Sequence, residues 1–147
     1  YIISRSKTHT QTQTQILDLS QKEKLFHIGI RVNIDLAAIS PEDSKLDEDY
    51  SRFGFSIESG EFKEVIDKID TYSNVKLSGL HAHRTTLTRS ISAYEKISEY
   101  IGKISKEYNL DLNYIDIGGG YYGIMESKPT FNDYFLAIAK KLELYFF

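Results

Sequence analysis

An α/β fold of parallel βα units is what the sequence predicts, and three observations predict it. Apolar, β-branched runs alternate with amphipathic helical patterns, each run ends in residues of unusual chemistry, and consecutive glycines close the last run. A parallel return needs a crossover and the usual crossover is a helix, so the alternation argues for parallel pairing. Sites in such folds gather at the carboxyl ends of the strands. Those ends carry Arg31 and Asn33, then His81 and His83, then Gly118, Gly119 and Gly120.

Taken in order, the chain opens on a polar stretch in which residues 8–15, THTQTQTQ, alternate Thr and Gln. A solvated strand, a frayed lead-in and disorder are all compatible with that composition. Residues 25–34, LFHIGIRVNI, are apolar and β-branched and predict a buried strand. Residues 35–58 hold Pro41, Gly54 and many acidic side chains, too polar for a core element, and read as a rim loop in which Arg52, Phe53 and Gly54 form a turn. Ser59 stands where an N-cap would, and Phe62, Val65, Ile66 and Ile69 recur at helical spacing through about Tyr72. Residues 74–83, NVKLSGLHAH, predict the second strand, and Thr88 opens a longer helix with Ile91, Tyr94, Ile97, Tyr100, Ile101, Ile104 and Tyr108 on one stripe. Residues 110–117 predict the third strand. Thr130 with Asp133 then forms a capping box for a last helix with Phe131, Tyr134, Phe135, Ile138 and Leu142 on its inner side.

Composition narrows the function classes. At 147 residues with 41% hydrophobic content the chain has the size and apolar content of one globular domain. The net charge of -3, without clustered Lys and Arg, argues against nucleic acid and against an anionic membrane surface as partners. With no cysteine there is neither a disulfide framework nor a thiolate metal site, as expected of a cytoplasmic protein. No apolar run reaches the roughly 18 residues of a membrane span, and the first residues lack the order of a signal peptide.

Two motifs carry chemistry. GGGYYG satisfies the dinucleotide pattern G-x-G-x-x-G, but such a site wants a helix opening within the glycines and an acidic residue ending the next strand, whereas Pro129 and Thr130 delay the helix. A glycine turn whose N–H groups form an anion nest, most often for phosphate, fits better, and a tight structural turn stays open beside it. His81 and His83 are two apart, so in a strand both would point to one side. They could be satisfied core histidines, ligand contacts or a metal pair. A metal would need further ligands, for which Asp35 and Asp116 are the near candidates.

IGIRVNID, SRFGF, LSGLHAH and YIDIGGGYYG, in this order and spacing, resemble the central part of the pyridoxal-phosphate enzymes of the alanine-racemase-like barrel, specifically the diaminopimelate, ornithine and arginine decarboxylase group. The resemblance covers about residues 25–147 and leaves residues 1–24 as an atypical lead-in. It implies part of a TIM (β/α)8 barrel, pyridoxal 5'-phosphate as cofactor, an amino-acid substrate and a homodimer of the complete protein. It implies that His83 stacks on the pyridine face, that Gly118, Gly119 and Gly120 hold the phosphate, that Thr86 stands where a serine supports it, and that Arg31 faces the active site. The residues HRTT replace the usual small glycine and serine after the histidine. The lysine that holds the cofactor covalently lies on an early strand in this group, so no lysine here is expected to inherit that role and no catalytic residue is assigned. Decarboxylation is the expected activity, with amino-acid racemisation, or a non-catalytic remnant that binds phosphate ligands, as alternatives.

Overall fold

The computed structural model describes residues 2–3, 9–44, 53–84 and 86–146. The elements run β1 (Ile2–Ile3), α1 (His9–Ser20), β2 (Phe26–Asn33), α2 (Leu36–Ile39), a 3-10 turn (Pro41–Asp43), β3 (Phe55–Ser56), α3 (Glu61–Asp70), β4 (Val75–His81), α4 (Ile91–Glu107), β5 (Tyr114–Asp116) and α5 (Phe131–Phe146). They fall into two compact units. The first comprises Tyr1–Ile34, Ser51–Ala82 and Asp111–Asp116, and the second Asp35–Tyr50, His83–Leu110 and Ile117–Phe147.

The first unit holds the sheet, in the order β1-β2-β4-β5 with β3 also on β2, and every pairing is parallel. Strand order follows chain order without reversal. That is the winding of a barrel wall rather than of a doubly wound sheet, whose order reverses at a switch point. Gly29, Gly79 and Tyr114 stand in register across β2, β4 and β5, as do Arg31, His81 and Asp116. Residues in register on parallel strands share a face, so these are two successive layers. The first layer explains its glycines: the Tyr114 ring lies where a Cβ at Gly29 or Gly79 would stand. Ile28, Ile30 and Leu80, at the alternate positions, are fully buried.

Several sequence expectations change here. Residues 9–20 are helical. The period-two Thr and Gln alternation carries no helical signal, but Ile16 is 1% exposed and the Asn74 amide donates to the Leu19 and Lys22 carbonyls, so tertiary contacts hold a segment of weak intrinsic propensity. Arg52 lies outside the described residues. Gly54 has φ +88 as expected. The loop from residue 35 is less irregular than its polarity implies: Asp35 caps α2 by accepting from the Ala38 N–H, and Asp43 is fully buried. Gly60, at positive φ and without a side-chain cap, and not Ser59, precedes α3. The third strand is only Tyr114–Asp116, since the Leu110 N–H bonds back to the Ser105 carbonyl behind α4 and sheet contact begins with Asn113 donating to Ser78.

In the second unit α4 packs on α5. Ser90, not Thr88, caps α4, its hydroxyl accepting from the Ala93 N–H at 3.1 Å. The buried hydroxyls of Ser98 and Ser105 donate to the Tyr94 and Ile101 carbonyls one turn back. Gly102 gives α5 its approach, since the Tyr145 ring occupies the space a Cβ would need. The Thr130 and Asp133 capping box is present. The expected inner side of α5 is not, for Phe131 and Phe135 are 59% and 67% exposed while Tyr134 is buried. Apolar periodicity marks a face that can be buried, and α4 covers the part bearing Tyr134 and Tyr145 but not Phe131 and Phe135. Among the described residues no helix is long and apolar enough to cross a membrane.

Two expectations follow from these contacts. A Cβ at Gly54 would stand 2.7–2.9 Å from backbone atoms of Arg31, Val32 and Asn33, whereas one at Gly60, also at positive φ, meets nothing within 4 Å. Gly54→Ala is therefore expected to cost about 2–4 kcal/mol and Gly60→Ala about 1 kcal/mol in urea denaturation. Equal losses would show that the backbone contact is immaterial. Hydrogen bonds from the Thr130 N–H and hydroxyl hold the Asp133 carboxyl below its ordinary value. A folded value depressed in this way adds stability above the unfolded value, near pH 4, that is lost as pH falls through the folded one. The melting difference between the wild type and Asp133→Asn should thus be largest at neutral pH and shrink below about pH 4.

Candidate functional site

The glycine triplet and His83 lie together in the second unit. Gly118 and Gly120 have φ of +77 and +93, a region closed to most side chains, and they turn the chain twice within three residues. A Cβ at Gly118 would stand against the His83 ring, and one at Gly120 would come within 3.3 Å of the Tyr94 hydroxyl. Gly119 differs: its Cβ would meet nothing within 4 Å. The turn is therefore closed on two sides and open at its middle residue, with space beside the backbone where a ligand oxygen could approach. The Gly119 N–H donates to His83 Nδ1 at 3.3 Å, so that nitrogen acts as the acceptor and the ring's orientation is tied to the turn.

Thr86 belongs to the same unit. It is buried, and its hydroxyl accepts from the Arg89 N–H at 3.0 Å. The segment it sits in is clamped by Asp43, whose carboxylate accepts from the Ser40, Thr88 and Ser90 hydroxyls while its carbonyl accepts from the Leu87 N–H. These bonds satisfy a carboxylate that would otherwise be costly to bury.

Three tyrosines absent from the sequence-level site surround this turn. Tyr94 donates to the Gly119 carbonyl at 2.9 Å, Tyr122 to Thr88 at 3.0 Å and Tyr134 to Arg89 at 2.5 Å. Burial, then the neighbouring Tyr121 and Tyr134, push the Tyr94 phenol up to about 12, so it remains a donor through neutral pH. The Tyr94, Tyr121 and Tyr134 rings pack with centroids 4.8–5.2 Å apart. Arg89 and Lys128 both lie over the Tyr122 ring, at 5.4 and 5.0 Å. At the sequence level Tyr94 belongs to the α4 stripe, and the available signal was a hydroxyl placed in a row otherwise mostly of isoleucine.

Arg31 and His81 belong to the first unit. Arg31 places its guanidinium over the Phe53 ring, 5.1 Å from the centroid, and His81 Nε2 lies 4.0 Å from the Asp116 carboxylate. β4 ends at His81, so the period-two argument that set His81 and His83 on one side does not reach His83. Strand pairing explains the break, because the Ala82 N–H donates to the Asp116 carbonyl, the last residue of β5. Among the described residues no three His, Cys, Asp or Glu side chains are grouped as a metal site requires. α5 begins at Phe131, well past the glycines, unlike a dinucleotide turn.

Comparison with known proteins identifies the family. The family model for the pyridoxal-binding domain of pyridoxal-dependent decarboxylases matches residues 7–147. Diaminopimelate decarboxylase of Staphylococcus aureus (strain COL) is 28% identical over 94 residues, covering 64% of this chain and 22% of its own. That of Actinosynnema pretiosum subsp. auranticum is 26% identical over 70 residues, covering 48% of this chain and 16% of its own. The solved diaminopimelate decarboxylase from Helicobacter pylori, complexed with L-lysine, superposes with a TM-score of 0.63 at 23% identity, over 91% of this chain and 34% of that one. The enzyme from M. jannaschii, in co-complex with L-lysine, gives 0.55 at 20% identity, over 92% and 31%. The chain thus spans about a fifth of the curated relatives and a third of the solved ones. The parallel sheet wound in chain order is part of a (β/α)8 barrel, and the chain belongs to the pyridoxal-dependent decarboxylase family, as a portion of its pyridoxal-binding domain.

Proposed function

We propose that this chain is the central barrel portion of a pyridoxal 5'-phosphate-dependent amino-acid decarboxylase, a lyase, and that it supplies two of the cofactor's holding points. The observation that carries this reading is the pairing of an open glycine turn with an imidazole tied to it: the Gly119 N–H bonds His83, and among the described residues, chain neighbours aside, no atom stands within 4 Å of a Cβ at Gly119. Backbone N–H donors beside open space suit a phosphate group. A ring fixed by the same turn suits an aromatic cofactor face. Gly118, Gly119 and Gly120 would receive the phosphate, Thr86 would support that turn, and His83 would set the plane of the pyridine ring. By the resemblance, Arg31 would face the active site.

When bound, the cofactor supplies an electron sink, its protonated pyridine accepting the pair left at the α-carbon as carbon dioxide departs. The contribution of this chain is positional. His83 orients, the glycine turn anchors, and the Asp43 clamp holds the segment carrying Thr86 in one arrangement. The substrate class follows from the relatives, which are named for diaminopimelate and in two solved cases are complexed with L-lysine. A diamino acid, taken up by a homodimeric complete protein, is the corresponding assignment.

The test uses glycine substitutions in the complete protein. Gly119→Val should leave the melting temperature of the cofactor-free protein within about 2 °C, because its side chain enters open space. It should weaken pyridoxal 5'-phosphate binding at least about tenfold by filling that space. Gly118→Ala, by contrast, should destabilise the protein with or without cofactor, since it meets the His83 ring at positive φ. His83→Ala should weaken cofactor retention and alter the absorbance of what remains bound. Unchanged cofactor affinity in Gly119→Val would refute the anchoring role of the turn.

A further inference from the structure

Planarity of the peptide bond gives Tyr94 a consequence beyond packing. Its hydroxyl donates to the Gly119 carbonyl at 2.9 Å and stands 3.3 Å from where a Cβ at Gly120 would be, so it occupies one side of the Gly119–Gly120 peptide. Among the described residues no peptide is cis. In a planar trans peptide the N–H points opposite to the C=O, so holding the Gly119 oxygen toward Tyr94 turns the Gly120 N–H to the other side. Gly119 and Gly120, the latter at positive φ, leave this peptide without a side chain of its own to fix it, and glycine backbone is the most freely rotating there is. The plane therefore depends on an outside partner.

We propose that Tyr94 is a positioning residue for anion binding: its hydroxyl fixes the Gly119–Gly120 peptide so that the Gly120 N–H is aimed as a donor at a phosphate group. This rests on the reading of the glycine turn as a phosphate site. Tyr94 acts through the backbone, its hydroxyl donating to the Gly119 carbonyl. It is suited to the part. The ring is 2% exposed and held against Tyr121 and Tyr134, which leaves the hydroxyl little freedom, and its raised pKa keeps the proton in place.

Tyr94→Phe keeps the ring and removes only the hydroxyl, and Tyr134→Phe removes a hydroxyl of the same ring cluster that bonds Arg89 instead. In the complete protein, binding of pyridoxal 5'-phosphate, of pyridoxal without its phosphate, and of inorganic phosphate as competitor is measured for the wild type and both variants. Tyr94→Phe is expected to weaken pyridoxal 5'-phosphate and inorganic phosphate about tenfold each and pyridoxal less than about twofold. Tyr134→Phe is expected to leave the ratio between pyridoxal 5'-phosphate and pyridoxal unchanged. Amide exchange at Gly120 in the wild type should slow on saturation with inorganic phosphate, a measurement that needs no variant. Equal losses for phosphorylated and unphosphorylated ligand in Tyr94→Phe, no loss for either, or an unprotected Gly120 amide would overturn the proposal. A wild type that does not prefer pyridoxal 5'-phosphate over pyridoxal would instead overturn the phosphate reading of the turn, and this inference with it.

Discussion

The approach of the Gly118 backbone to the His83 imidazole constrains everything else at this site. No side chain fits between them, and the neighbouring Gly119 N–H bonds the same ring. Glycine at residue 118 is required by the contact and by its positive φ together, so the cost of an unstable backbone is offset by a fixed histidine. Gly120 reverses the chain a second time, against a tyrosine hydroxyl rather than an imidazole. Between them Gly119 is left facing open space. Three chemically identical residues thus have different tasks: one makes contact, one stays clear and one turns.

Polar groups under the turn are arranged so that none depends on the ligand for its hydrogen bond. Thr86 accepts from the Arg89 N–H, Tyr94 donates to the Gly119 carbonyl, and Asp43 collects the hydroxyls of Ser40, Thr88 and Ser90. Such closed networks resist rearrangement, because breaking one bond strands a buried partner. A turn supported in this way holds one backbone arrangement by itself, as the proposed phosphate site would require.

The architecture was legible in the sequence wherever a period was expressed over enough residues. β2, β4, α3 and α4 appear close to the expected limits because Ile28, Ile30, Leu80 and the α4 stripe are buried as their spacing requires. What escaped was set by contacts distant in sequence. α1 is held by Ile16 and by the Asn74 side chain, neither of which leaves a trace in THTQTQTQ. β5 is short because the Leu110 N–H turns back to Ser105, which only the end geometry of α4 determines. The outward Phe131 and Phe135 show the converse, for periodicity records which faces are apolar and not which neighbour covers them.

Motif reading located the histidine and the glycines but not what joins them. H-x-H and G-G-G are separated in sequence by residues 84–117, and the only sign that they meet is that both follow strands. The tyrosines were harder still, since an amphipathic stripe accepts Tyr for its ring, and nothing in the pattern says that the hydroxyl at Tyr94 has a separate destination. Aromatic residues with polar tips are therefore where a helix stripe and a binding site become one object. The ring of Tyr94 contributes to the packing of α4 against α5, while its hydroxyl, from the same side chain, orients a peptide in a loop. Stability and ligand geometry are coupled in that residue, whereas the sheet layer of Gly29, Gly79 and Tyr114 concerns packing alone.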